Sequence, residues 1–149
     1  MRWHLKPWSE LTRDELYALM AARQEVFVVE QTCPYLDADG ADAAAIHLWA
    51  DDETTPVLAY LRIFGPGVKG VEARLGRVLT ASSARGKGLG RPLVQRGIDV
   101  VRERFGACPI RVHAQKHLDR FYADLGFVSE GAEYLEDGIL HIDMVRPAT

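Results

Sequence analysis

The sequence has no long apolar run. No stretch of its 149 residues approaches the roughly 20 apolar residues that span a bilayer as a helix, so no membrane association is expected. Met1, Arg2, Trp3, His4, Leu5 and Lys6 are followed by no apolar segment of the secretory kind, and a cytoplasmic protein is expected. Cysteine is scarce. Cys33 and Cys108 lie far apart and in no CxxC pair, so two reduced structural thiols are expected rather than a disulfide framework. Excess positive charge is also missing. Lys and Arg number 18 against 21 Asp and Glu, a net charge of −3. That disfavours nucleic acid, whose phosphates need a strongly basic face. His113 and His117 straddle an expected strand end and helix start, and no third residue has ligand spacing, so no metal is expected.

What is present suits one folded domain over residues 1–149. The apolar share is 48% and the charged share 26%, both ordinary for a globular chain. The length buries enough surface to need no metal or disulfide staple. Charge is unevenly spread. Asp37, Asp39, Asp42, Asp51, Asp52 and Glu53 precede a cationic group of Arg85, Lys87, Arg91, Arg96, Arg102 and Arg104. The first group suits a cationic substrate and the second an anionic cofactor, while solvated faces would have the same composition.

Periodicity predicts the elements. Residues 3–8 read as a strand. Ser9, Thr12 and Asp14 offer caps to a helix whose apolar face carries Leu11, Leu16, Leu19, Met20, Val26 and Phe27. The pattern breaks at Cys33-Pro34. Residues 37–45, rich in Asp, Ala and Gly, read as a loop. Strands follow over 46–50, 57–64 and 72–80. A helix over 91–105 would bury Val94, Ile98, Val101 and Phe105. Gly97 lies on that face. It costs about 1 kcal/mol against alanine, which close packing on a sheet would offset. A strand over 109–114, a short helix over 116–125 stopped by Gly126, and a hairpin of 127–134 and 139–145 around Asp137-Gly138 complete the chain. The order is β-α-β-β-β-α-β-α-β-β, which predicts an α/β fold with a mixed sheet and helices on both faces.

The chemically informative stretch joins Val78, Leu79 and Thr80 to Arg85-Gly86-Lys87-Gly88-Leu89-Gly90 at a helix start. A strand, a glycine-rich turn and a helix N-terminus aim backbone N–H groups outward, where the helix dipole favours an anion. The spacing G-x-G-x-G is not the dinucleotide fingerprint, and Ala81 and Gly88 break the P-loop pattern. A glycine-rich turn without a ligand has the same composition. The pattern resembles the acyl-coenzyme A loop of the GNAT superfamily, R/Q-x-x-G-x-G/A after a strand, with Arg85, Gly88 and Gly90 at the matching positions. Tyr122, Gly126 and Phe127 match the Y-x-x-x-G-F that often follows in such families.

The resemblance extends over nearly the whole chain and is strongest to the ElaA family. It rests on Arg23, Val26-Phe27-Val28-Val29-Glu30-Gln31, Cys33-Pro34-Tyr35, Asp39-Gly40 and His47 in the first half. In the second half it rests on Arg77-Val78, Arg85-Gly86, Ala114-Gln115, Phe121-Tyr122, Glu136-Asp137-Gly138 and His141-Ile142. The N-terminal stretch is also similar to acyl-homoserine-lactone synthases. Thr80 and Gln115 depart from the superfamily's usual aliphatic residue and asparagine, without removing a backbone contact.

The resemblance implies an N-acetyltransferase that binds acetyl-coenzyme A between two splayed strands ending near Thr80 and Ala114. Pantetheine would lie along Val78, Leu79 and Thr80, near Gln115, and the pyrophosphate on the N–H groups of Arg85, Gly86, Lys87, Gly88, Leu89 and Gly90. An amine would attack the thioester directly. Tyr122 would protonate the leaving thiolate, although its place on an amphipathic helix also suits plain aromatic packing. Glu30 leads the candidate bases, followed by His47, Glu136 and His141, and Arg23 joins these last three as an acceptor-side residue. The acceptor would be a small-molecule amine or a peptide or protein amine. A domain that binds acyl-coenzyme A without turnover is the competing class. Lactone synthesis would need a S-adenosylmethionine site and an acyl pocket that the sequence does not mark. A homodimer through the 127–145 hairpin is a further expectation.

Overall fold

A computed structural model describes residues 1–148; Thr149, the last residue of the expected domain, lies outside them. Seven strands form one sheet: β1 Arg2–Pro7, β2 Ile46–Asp51, β3 Ala59–Phe64, β4 Ala73–Thr80, β5 Ile110–Gln115, β6 Val128–Glu136 and β7 Ile139–Arg146. The helices are α1 Arg13–Arg23, α2 Gly90–Phe105 and α3 Asp119–Ala123. This is the predicted element order with boundaries moved by a residue or two, except in the first helix, which ends early, and in the third. There the 3₁₀ turn Lys116–Leu118 takes the first part of the expected span. No helix among the described residues is long and apolar enough to cross a membrane.

Spatial order in the sheet is β1-β2-β3-β4-β5-β7-β6. Every neighbouring pair is antiparallel except β4 and β5. That parallel pair is short. Only Ala73 with Ile110 and Arg74 with Arg111 are in register, after which the two strands diverge. From Leu75 onward β4 has no strand partner on its β5 side, which leaves backbone groups there free for something other than a sheet.

The two faces of the sheet are covered differently. Leu48, Leu61, Leu75 and Val112 pack with Leu93, Val94 and Ile98 of α2 and with Tyr122 of α3. Trp49, Tyr60 and Leu79 pack with Leu19 of α1 on the other face. Alternation along each strand makes this division. It changes phase once, at Arg77. Tyr60 pairs with Leu79 and Arg62 with Gly76, so β4 carries one extra residue, and Arg77 takes φ +50°. The bulge reverses which side of β4 faces α2, and Leu79 joins the α1 side.

Gly97 shows why the middle helix tolerates glycine. A methyl there would sit 3.1 Å from Leu61 and 3.3 Å from Leu75, so the missing Cβ lets α2 lie close on the sheet. Phe105, expected in the buried stripe, is instead 38% exposed and lays its ring against Gly65. At the first helix the structure selects Thr12 as the cap. Thr12 Oγ1 accepts from the Glu15 N–H at 3.1 Å and the Thr12 N–H donates to Glu15 at 2.9 Å. The apolar run expected to continue that helix instead forms a π-helical turn, Gln24–Glu30. The wider turn re-aims Val26, Phe27 and Val28.

Beyond that turn, residues 31–45 cross the sheet as an irregular strap held by buried charge. Arg23 is 1% exposed; its Nε donates to Asp37 at 2.8 Å, and Nη1 donates to Asp42. Arg62 on β3 donates from Nη1 to the same Asp42 oxygen at 2.9 Å and to Asp39. His47 lies beneath, 1% exposed. Its Nε2 is 3.0 Å from the Asp42 carbonyl, which can only accept, so Nε2 carries the proton and Nδ1 accepts from the Tyr60 hydroxyl at 2.7 Å. Burial pushes the His47 pKa down. Burial opposes the charge on Asp42 as well, but Arg23 and Arg62 overcome it and hold the carboxyl below its usual range. Arg62 holds Asp39 well below that range.

Two outcomes follow from these contacts. Gly97→Leu should overpack the α2–sheet contact and cost about 1–3 kcal/mol in urea unfolding. Asp42→Asn should cost about 3–5 kcal/mol, because two buried guanidinium groups lose their shared counter-charge. The native carboxyls have lowered pKa values, so their contribution is complete above the unfolded pKa near 4 and fades as pH falls through the native values. The native-minus-variant stability difference should therefore shrink on acidification below about pH 4, as read from pH-dependent denaturation midpoints.

Candidate active site

A cavity of about 590 Å³ opens where β4 and β5 diverge. It runs along Val78, Leu79 and Thr80, past Gln115 and Tyr122, to Glu136 and His141 on the C-terminal hairpin. Arg85 lies at its mouth. Residues far apart in sequence thus share one space, and the cause is the short β4–β5 register.

Of the glycine-rich loop only Arg85 lines the cavity, while residues 86–90 lie outside the lining; the loop itself has the features of an anion site. After Thr80 a 3₁₀ turn, Ser82–Ala84, leads into Arg85. Gly86 and Gly88 take φ +81° and +72°, a region that L side chains enter only at a cost. Lys87 and Gly88 are exposed, and Leu89 and Gly90 half-buried. Leu89 caps α2 without a side-chain hydrogen bond. The first-turn N–H groups of that 16-residue helix therefore have no side-chain acceptor at the cap and suit phosphate oxygens.

Tyr122 is 5% exposed, edge-on between Phe121 and Phe127 with ring centroids 5.1 and 5.7 Å away. Its hydroxyl has no hydrogen-bond partner among the described residues and the residue lines the cavity. Burial alone pushes its pKa up to about 12. The side chain packs as a core aromatic and also lines the cavity, so its placement is compatible with both readings of Tyr122.

At the other end His141 is held on three sides. Its Nδ1 lies 2.7 Å from the Ile139 carbonyl, which fixes the proton on Nδ1 and leaves Nε2 with its lone pair in the neutral ring. Glu136 is 3.7 Å from Nε2. Tyr134, directly across the β6–β7 pair, stacks on the ring at 5.9 Å and donates to Asp143. Arg111 braces the same face by pairing with Glu72, Glu130 and Asp143.

Three sequence candidates sit differently from expectation. Arg23 and His47 were expected on the acceptor side, but neither lines the cavity. Both are about 1% exposed and committed to the strap, because residues 31–45 fold down over them. Glu30 lies outside the cavity lining and accepts a hydrogen bond from Arg85 Nη2 at 2.5 Å. That contact ties the α1 side to the glycine-rich loop.

Sequence reasoning missed several lining residues: Arg62, Phe64, Lys69, Arg74 and, except as a metal ligand, His113. Arg62 and Phe64 alternate along β3 on one face, and period-2 reading of those positions would have marked charge in an otherwise apolar strand. Cys33, expected to be a structural thiol, is buried and its Sγ lies 3.4 Å from the Asp137 carbonyl. It joins the strap to the β6–β7 turn, where Asp137 and Gly138 both have positive φ.

Known proteins share this arrangement. Residues 20–147 match the sequence profile of the acetyltransferase (GNAT) domain. The protein ElaA of Escherichia coli K12 is 37% identical over 150 aligned residues, covering 98% of this chain and 96% of ElaA. The crystal structure of an acyl-CoA N-acyltransferase from Pseudomonas aeruginosa superposes with a TM-score of 0.93 at 41% identity, covering 98% and 99% of the two chains. That of Escherichia coli ElaA superposes with a TM-score of 0.90 at 34% identity over 98% and 99%. With its split β4–β5 pair and glycine-rich loop in a fold shared end to end with these proteins, the chain belongs to the GNAT family and is an acyltransferase homologous to ElaA.

Proposed function

We propose that the protein transfers an acetyl group from acetyl-coenzyme A to a primary amine by direct attack. The observation that carries this reading is the cavity between β4 and β5, which brings a buried phenol and a histidine of defined tautomer into one space and has Arg85, the first residue of the glycine-rich loop, in its lining. The cosubstrate's pyrophosphate lies on the backbone of Arg85, Gly86, Lys87, Gly88, Leu89 and Gly90. Its pantetheine arm pairs with the free edge of β4 at Val78, Leu79 and Thr80, with Gln115 opposite.

The amine lone pair attacks the thioester carbonyl carbon, and the oxyanion that forms is stabilised by a backbone N–H of the unpaired β4 edge. The C–S bond then breaks. The thiolate takes the Tyr122 hydroxyl proton, and the nitrogen gives up a proton to a base. A lysine-like ammonium has pKa about 10.4, so at pH 7 only about one molecule in two thousand is neutral. His141 Nε2 is the base on this geometry, with the Glu136 carboxylate steadying the imidazolium. Glu30 was the first sequence choice for this role. Its contact with Arg85 gives it another one, positioning the loop.

Acetyl-coenzyme A should titrate saturably in calorimetry, and Gly88→Glu should abolish binding by placing a side chain and a negative charge at the anion site. No binding by the native protein would overturn the reading. Tyr122→Phe should lower kcat by about 10²–10⁴ with acetyl-coenzyme A affinity retained. A general acid works while protonated and fails as pH rises through its pKa. With that pKa raised to about 12, kcat should show no alkaline decline below pH 10, as read from a pH–rate profile.

A further inference from the structure

The cavity's charges are mostly spoken for. Arg62 is bound by Asp39 and Asp42. Arg77 lies 2.9 Å from Asp37, without hydrogen-bond alignment, and its guanidinium covers the Phe27 ring at 5.4 Å. Arg85 is bound by Glu30. Two lining cations remain, Lys69 and Arg74. Neither has an ion pair or a side-chain hydrogen bond among the described residues. Arg74 Nε is sealed from solvent with no partner, a costly arrangement for a guanidinium donor.

The nearby carboxylates cannot supply that partner, because Arg111 holds Glu72 and Asp143. Both free cations come from the β3–β4 hairpin. Lys69 Nζ sits 5.8 Å over the Phe64 ring. Arg74 Nη2 occupies space that a side chain at Gly70 would contest, 3.3 Å from the place of its Cβ. At the far end the charge is reversed. Glu136 and Asp137 line the cavity beside His141.

The strand register sets the spacing between these poles. Arg74 is level with Arg111, and His141 is level with Gln115. Four residues along β5 amount to about 13 Å, less the reach of the side chains. That backbone separation suits an amine at the end of a flexible chain better than an α-amino group one carbon from its carboxylate.

Resting on the acetyltransferase reading, we propose that Arg74 and Lys69 form a carboxylate subsite. The acceptor is then an amino carboxylate whose primary amine lies several bonds from its carboxylate. A free amino acid with a side-chain amine and the C-terminal residue of a peptide both present this chemistry. The carboxylate docks on the Arg74 fork, with Lys69 adding charge. The distal amine reaches His141 and Glu136.

The test is calorimetric titration of the protein saturated with coenzyme A, which cannot react. The ligands are lysine, its decarboxylated counterpart cadaverine, and an N-acetylated tripeptide ending in lysine, as the free acid and as the amide. Lysine should bind at least about tenfold more tightly than cadaverine, as loss of a charge-assisted contact predicts. In Arg74→Gln that ratio should fall to about one, with an unshifted thermal midpoint showing that the variant is folded. Lys69→Gln, exposed in the hairpin turn, should lower the ratio in part and serves if Arg74→Gln does not fold. Free-acid peptide binding more tightly than lysine assigns the carboxylate to a peptide end; the reverse order assigns it to the free amino acid. Equal affinity for lysine and cadaverine, a ratio unmoved by both substitutions, or no binding of any amine overturns the subsite. Coenzyme A binding is read in the same experiment. Its loss would sink the acetyltransferase reading, whereas its persistence without discrimination would sink only the subsite.

Discussion

One carboxylate, Asp42, lies between two buried guanidinium groups, Arg23 at the end of α1 and Arg62 in the middle of β3. This shared ion pair joins the first helix, the strap and the sheet, and it braces the cavity wall that Asp37, Asp39 and Arg62 line. Buried charges are poor sources of net stability, since desolvation offsets most of their attraction. Leaving either guanidinium without a carboxylate would be costly, so the pairs favour the path of residues 31–45 that supplies both. Asp37 and Asp39 repeat the same contact on either side, and Cys33 secures the strap to the C-terminal hairpin.

Against that fixed wall, two local irregularities open the working space. The π-helical turn Gln24–Glu30 widens the end of the first helix. The bulge at Arg77 adds one residue to β4. Each disturbs a regular hydrogen-bond pattern by a small step, and each lies beside the cavity. The bulge leans the end of β4 toward β3, where Ala59 pairs with Thr80, while β5 follows β7 for all six of its residues. A sheet pulled from both sides in this way splits at its parallel pair. Arg77 pairs electrostatically with the strap through Asp37, so the irregular strand and the buried charges support each other.

The glycine loop was legible from sequence because its signals are local. Gly86 and Gly88 take the positive φ that their residue type permits, and the strand, turn and helix start that flank them follow from local pattern. The element order was legible for the same reason: apolar spacing records helix or strand within a few residues. The Asp137-Gly138 turn and the close contact at Gly97 also followed from residue type and position. Phe105 was misjudged because a helix end can leave the face its spacing suggests. Arg23 was misjudged because an arginine's spacing does not reveal the carboxylates that cover it, here 14 and 19 residues further on.

The sequence by itself determined the elements, their order and the glycine-rich turn ahead of α2, all consequences of backbone preference and short-range periodicity. Tertiary structure alone decided which charged residues are occupied and which are free. It buried Arg23 and His47, tied Glu30 to Arg85, gave His141 its tautomer, and left Arg74 and Lys69 facing the cavity unpaired. The physical reason is that burial and charge pairing depend on partners brought from distant strands and loops. No spacing within one segment carries that information.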